Sequence, residues 1–116
     1  MKILLVDDEK QFVKFLSKRL ALRGINADYA FIGEDALKKV EANRYDVAIL
    51  DVKMPGIGGI ELERKLSRLA PEMKIIFLTG HGSKNDFKVG AAEALHYLAK
   101  PVKIEELVKI LNEITK

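Results

Sequence analysis

KILLVDDEKQFVKFLSKRLALRGINADYA, residues 2–30, is the stretch that decides the fold. It opens on an unbroken apolar run, ILLV at 3–6, followed at once by Asp7, Asp8 and Glu9. Continuous apolarity, as opposed to alternation, marks a strand covered on both faces. Through 9–23 the period changes. Phe12, Phe15, Leu16 and Leu20 fall at i, i+3, i+4 and i+8, which puts one apolar stripe on a helix. Gly24 supplies a helix stop, and NADYA at 26–30 is a second, weaker strand. Strand, helix and strand in succession imply parallel pairing with a right-handed crossover.

The alternation continues outward from that unit. VAIL (47–50) and IIFL (75–78) are apolar runs of the same kind, and HYLA (96–99) is a weaker one. Helical spacing recurs in 34–42 through Ala36, Leu37 and Val40, and in 59–70 through Leu62, Leu66 and Leu69. It recurs again in 103–115 through Leu107, Ile110, Leu111 and Ile114. The stretch 84–94 is the weakest helix, with Gly90 inside it and Ser83 and Asp86 available to cap its start. Pro71 closes 59–70, and Pro55 and Gly56 punctuate the loop after the third strand. The reading is β-α repeated five times: an α/β, doubly wound, five-stranded parallel sheet with helices on both faces. Five such strands suit the order 2-1-3-4-5.

Composition bounds the function. A chain of 116 residues is one domain, taken here as 1–116, and long enough for a core without staples. It has no cysteine, which removes disulfides, thiolate zinc sites, Cys nucleophiles and Fe–S clusters, and two histidines are a poor basis for zinc. The apolar runs are far short of the roughly 18 residues a membrane span needs, and MKILLVDDEK lacks the features of a signal peptide. A cytoplasmic protein with no membrane partner is the expectation. The net charge is +3, but the basic residues alternate with acids in EANR, ELERKLSR and KPVKIEELVK. Such mixtures are solvated helix faces, and without a reading element nothing supports direct DNA binding.

Ligands of an open parallel sheet bind at the carboxyl ends of its strands. Asp7, Asp8 and Glu9 follow the first strand there, Asp51 the third, Thr79 the fourth, and Lys100 and Pro101 the fifth. In the order 2-1-3-4-5 those strands are neighbours, so the polar residues converge. A pair of carboxylates about 4 Å apart repels by on the order of 4 kcal/mol at an effective dielectric of 20. Such a cluster calls for a hard cation, and Mg²⁺ suits a few carboxylates with open positions. An Asp flanked by Mg²⁺, a lysine and a hydroxyl is a carboxylate nucleophile for a phosphoryl group.

These residues, in this order, resemble a response-regulator receiver domain of two-component signal transduction, a flavodoxin-like fold. The motifs are LLVDDE (4–9), GEDALKKV (33–40), ILDVKMPGIGG (49–59), FLTGH (77–81) and HYLAKP (96–101), and the likeness covers essentially the whole chain. The resemblance implies that Asp51 is the phosphoacceptor. It implies that Asp7, Asp8, Asp51 and the main-chain carbonyl of Lys53 hold Mg²⁺ or Mn²⁺. Thr79 would bond the phosphoryl oxygens, and Lys100 would pair with Asp51 before phosphorylation and with the phosphate afterwards. The Lys100–Pro101 bond would be cis. Tyr97 matches the family's switch aromatic, against the plain alternative of a strand aromatic. Lys53 and His81 sit two residues beyond Asp51 and Thr79, where they would tune autodephosphorylation; the plain alternative for His81 is an exposed loop residue. Glu93, His96 and Val102 depart from the family's habit but remove no group the chemistry needs.

The functional expectation is a phosphorylation-dependent switch and not an enzyme in its own right. It takes a phosphoryl group from a histidine kinase or a histidine phosphotransfer protein. The surface of the fourth and fifth β-α units then changes toward an output target. The sequence carries no output domain after Lys116, which fits a single-domain regulator or a fragment of a larger one. The alternative is a phosphate-independent interaction module of the same fold. A P-loop, a glycine turn after the first strand and a G-x-S-x-G elbow are all absent, and Lys53 stands where a haloacid-dehalogenase-type phosphatase has its second Asp.

Overall fold

The computed structural model describes residues 1–54, 56–80 and 96–115, with the backbone alone for His96 and Tyr97. The strands are β1 (Lys2–Val6), β2 (Asn26–Ala30), β3 (Val47–Asp51), β4 (Lys74–Thr79) and β5 (His96–Ala99). The helices among the described residues are α1 (Lys10–Ala21), α2 (Gly33–Ala42), α3 (Gly59–Leu69) and α4 (Ile104–Ile114). All strand pairs are parallel, in the order β2-β1-β3-β4-β5. The expected helix over 84–94, its Ser83–Asp86 start, and His81 lie outside the described residues.

Side-chain alternation along each central strand splits the core in two. Leu4, Val6, Ala48, Leu50, Ile75 and Phe77 pack with Ala36, Val40, Leu62 and Leu66, under α2 and α3. Ile3, Leu5, Val47, Ile49, Ile76 and Leu78 pack with Val13, Leu16, Leu20, Leu107 and Leu111, under α1 and α4. Both faces of the sheet are therefore covered, which is why the strands read as unbroken apolar runs.

Two stripe residues expected in the core are not there. Phe15 is 58% exposed and Leu69 is 48% exposed. Val13 takes the buried position that Phe15 would have filled. The i, i+3, i+4 spacing defines a face of a helix but not its centre, and both residues sit on the flank. Phe15 is covered in part by the Arg19 guanidinium, 5.0 Å from its ring centre.

The end of α1 follows from Gly24. Its φ is +77°, its N–H donates to the Ala21 carbonyl, and the N–H of Ile25 donates to the Leu20 carbonyl. That bond pattern caps the helix through a left-handed residue and drops Ile25 into the core beside Leu20. Gly59 serves a different need. A Cβ there would collide with the Asp51 carbonyl oxygen and lie 2.8 Å from Val52 Cα. Only glycine lets the start of α3 rest on the end of β3, where its N–H donates to the Val52 carbonyl at 2.9 Å.

Candidate functional site

The sheet order brings the expected residues to one crevice. Asp7 directly follows β1, Asp51 ends β3, Thr79 ends β4 and Lys100 directly follows β5. Between β1 and β3 the chain's winding changes direction, which opens a crevice at the carboxyl edge. Asp7, Asp51 and Thr79 are buried, and Asp8 is exposed. Thr79 is held by the β4–β5 pairing, where its carbonyl accepts the Lys100 N–H at 2.8 Å. The Lys100–Pro101 bond is cis, as expected.

Asp7, Asp8 and Asp51 each offer one carboxylate oxygen, and these oxygens lie within 4.8 Å of one another. The Lys100 ammonium reaches into this group, with its side chain 17% exposed. It is 2.7 Å from Asp7 Oδ2, 2.6 Å from Glu9 Oε1 and 3.7 Å from Asp51 Oδ2. The sequence expectation paired Lys100 with Asp51. Asp51 is within reach but third in line, after Glu9 and Asp7.

Burial and crowding raise the acids. Loss of water around Asp51, then the negative charge of Asp7, push its carboxyl up to about 6, while Lys100 and the N–H of Lys53 pull the other way. Burial also raises Asp7, against the ammonium of Lys100 and the Glu9 N–H. For Lys100, burial acts downward, but the bonds to Asp7 and Glu9 prevail and the ammonium is held on.

The arrangement fits a hard divalent cation. Asp7 Oδ1 accepts the Glu9 N–H at 2.9 Å, and the buried Oδ2 pairs with the Lys100 ammonium at 2.7 Å. Three clustered carboxylates, two of them buried, that share one ammonium are a donor set that such a cation would complete. Lys53 follows in the loop, and its N–H donates to the Asp51 carboxylate.

The sequence reading missed two contributors. Glu9 was noticed as an acid after β1 but given no part, and its signal is the third acid of LLVDDE. Gly59 was read within ILDVKMPGIGG but not as the residue that seats α3 against Asp51. The side chain of Tyr97, like His81, lies outside the described residues.

Comparison with known proteins identifies the family. The family model described as response regulator receiver domain matches residues 3–112. The response regulator UvrY of Escherichia coli K12 is 38% identical over 119 residues, covering 98% of this chain and 54% of that protein. MprA of Mycobacterium avium, also a response regulator, is 35% identical over 117 residues, covering 100% of this chain and 51% of its own length. The chain thus spans about half the length of these curated relatives. Among solved structures, a response regulator receiver domain protein from Clostridium thermocellum superposes with a TM-score of 0.91 at 32% identity, over 98% of this chain and 93% of that one. The receiver domain of the Francisella response regulator 1452 gives 0.88 at 31%, over 98% and 95%. By fold and by sequence, the chain belongs to the response regulator receiver domain family.

Proposed function

We propose that residues 1–116 act as one receiver domain, a switch thrown by phosphorylation of Asp51. The observation that carries this reading is the setting of Asp51: buried at the end of a central strand, clustered with Asp7 and Asp8, and 3.7 Å from the Lys100 ammonium. Asp7, Asp8, Asp51 and the Lys53 main-chain carbonyl would hold Mg²⁺ or Mn²⁺. The bound ion would offset the carboxylate repulsion and the charge on the phosphoryl oxygens.

An oxygen of the Asp51 carboxylate attacks phosphorus in line, and the bond from phosphorus to the donor breaks. The donor, a phosphohistidine of a kinase or phosphotransfer protein, leaves with the electron pair on its imidazole nitrogen. Lys100 balances the transferred charge, and the Thr79 hydroxyl donates to a phosphoryl oxygen. The Thr79 hydroxyl and Tyr97 then bias the surface of the last two β-α units between two conformations, to which an output target responds. Lys53 and His81 tune the loss of the phosphoryl group to water. The chain works in the cytoplasm, where phosphoryl groups derived from ATP are at hand, and it catalyses only its own labelling and hydrolysis.

The test is intact mass after incubation with Mg²⁺ and acetyl phosphate, for wild type and Asp51→Asn. One phosphoryl group gained by wild type alone is the expected result. An unlabelled wild type, even with excess metal, would favour the phosphate-independent interaction module.

A further inference from the structure

The start of α1 makes a cradle for the Lys100 ammonium. Glu9 stands at the helix N-cap, the usual place for a side chain that bonds the first N–H groups, yet its carboxylate makes no such bond. Its backbone is pinned instead, with the N–H donating to Asp7 Oδ1 at 2.9 Å and the carbonyl accepting the Val13 N–H at 3.0 Å. The carboxylate turns to Lys100 Nζ at 2.6 Å, across a separation of 91 positions in the chain. Phe12, one helical turn on, presents its ring 5.0 Å from the same nitrogen, which a cation favours. Glu9 and Phe12, with Asp7 at 2.7 Å, hold the ammonium nearer to the start of α1 than to Asp51, from which it is 3.7 Å away.

We propose that Glu9 is a positioning residue that retains Lys100 on the α1 side of the crevice, in competition with a phosphoryl group on Asp51. This rests on the reading of Asp51 as acceptor. The Glu9 side chain is 61% exposed and that of Lys100 17%, so the pair is open to solvent from the Glu9 side. An exposed ion pair of this kind shifts an equilibrium by about two- to fivefold.

The experiment measures the rate of phosphorylation of the full chain by acetyl phosphate with Mg²⁺, by intact mass. Glu9→Gln is expected to label about two- to fivefold faster than wild type at low salt. The gain should shrink toward roughly 1 M salt, where the screening length falls to about 3 Å. Glu9→Asp, which keeps the charge, should return the rate toward wild type. In a Lys100→Ala background, Glu9→Gln should bring no gain. A gain that persists there would mean that Glu9 merely repels an anionic donor, and it would overturn the role. So would a Glu9→Gln rate equal to or below that of a labelled wild type. A wild type that takes no label would instead overturn the reading of Asp51, and this role with it.

Discussion

Near the amino ends of β1 and β3, the polar groups are matched to partners. Lys2 lies 3.8 Å from Asp28, its main-chain N–H donates to Asp46 at 2.8 Å, and the Tyr45 hydroxyl donates to Asp28 at 2.7 Å. At the carboxyl ends of the same sheet, Asp7, Glu9 and Asp51 share the Lys100 ammonium, and Asp7 and Asp51 are buried. The first group ties edge strand β2 to the strand beside it. The second is held in place by the surrounding core, and it favours a cation that relieves its repulsion. The difference teaches that one fold can keep its stability at one end of a sheet and its repulsion at the other.

The largest effect should come from the carboxyl end, at Gly59. A methyl group there meets the backbone of Asp51 and Val52, which cannot rotate aside as a side chain could. Gly59→Ala should lose about 3 kcal/mol in urea unfolding. It should also slow phosphorylation, because α3 can be accommodated only by moving the end of β3. An unchanged melt would show that the packing of α3 on β3 is looser than the contacts require.

Next in size is the removal of a charge from the crowded end. The Asp51 carboxyl sits at about 6, against an ordinary 3.8. Its folded form therefore binds more protons than the unfolded chain between those values, and stability falls as pH rises through that window. Above it, the ionised group destabilises by about 2–3 kcal/mol. Asp51→Asn should thus stabilise the metal-free protein at neutral pH by about 2 kcal/mol and flatten the pH dependence between roughly 4 and 7. Mg²⁺ should raise the wild-type melting temperature and narrow the gap. A clear loss of stability in metal-free melts of Asp51→Asn would break the contrast between the two ends.

Much of this contrast was legible in the sequence. Apolar runs ending in Asp7, Asp51 and Thr79 place these residues at strand ends, and the strand order then brings them together. The exposure of Phe15 and Leu69 was not legible, because spacing alone does not say which residue of a stripe lies at its centre. The Glu9–Lys100 pair was hidden for another reason. It joins residues 91 positions apart, and it depends on how far each side chain reaches. The clash at Gly59 depends on backbone approach, which a motif marks but does not measure.

The smallest effect tests the matched end. Tyr45→Phe removes the hydroxyl bonded to Asp28 but keeps a ring for the Lys2 ammonium, which lies 5.1 Å from its centre. The Lys2–Asp28 pair also survives, and Asp28 is exposed enough for water to replace the lost donor. The loss should therefore be about 1 kcal/mol by urea unfolding. Burial, then the bond to Asp28, push the Tyr45 phenol upward, away from the neutral range, and carboxylates and phenols ordinarily titrate outside roughly pH 5–8. The loss should accordingly be flat across that range and the same with or without Mg²⁺. A Tyr45→Phe effect that varied with Mg²⁺ would mean that the two ends of the sheet are coupled through β1 and β3, and that stability and repulsion are not kept apart.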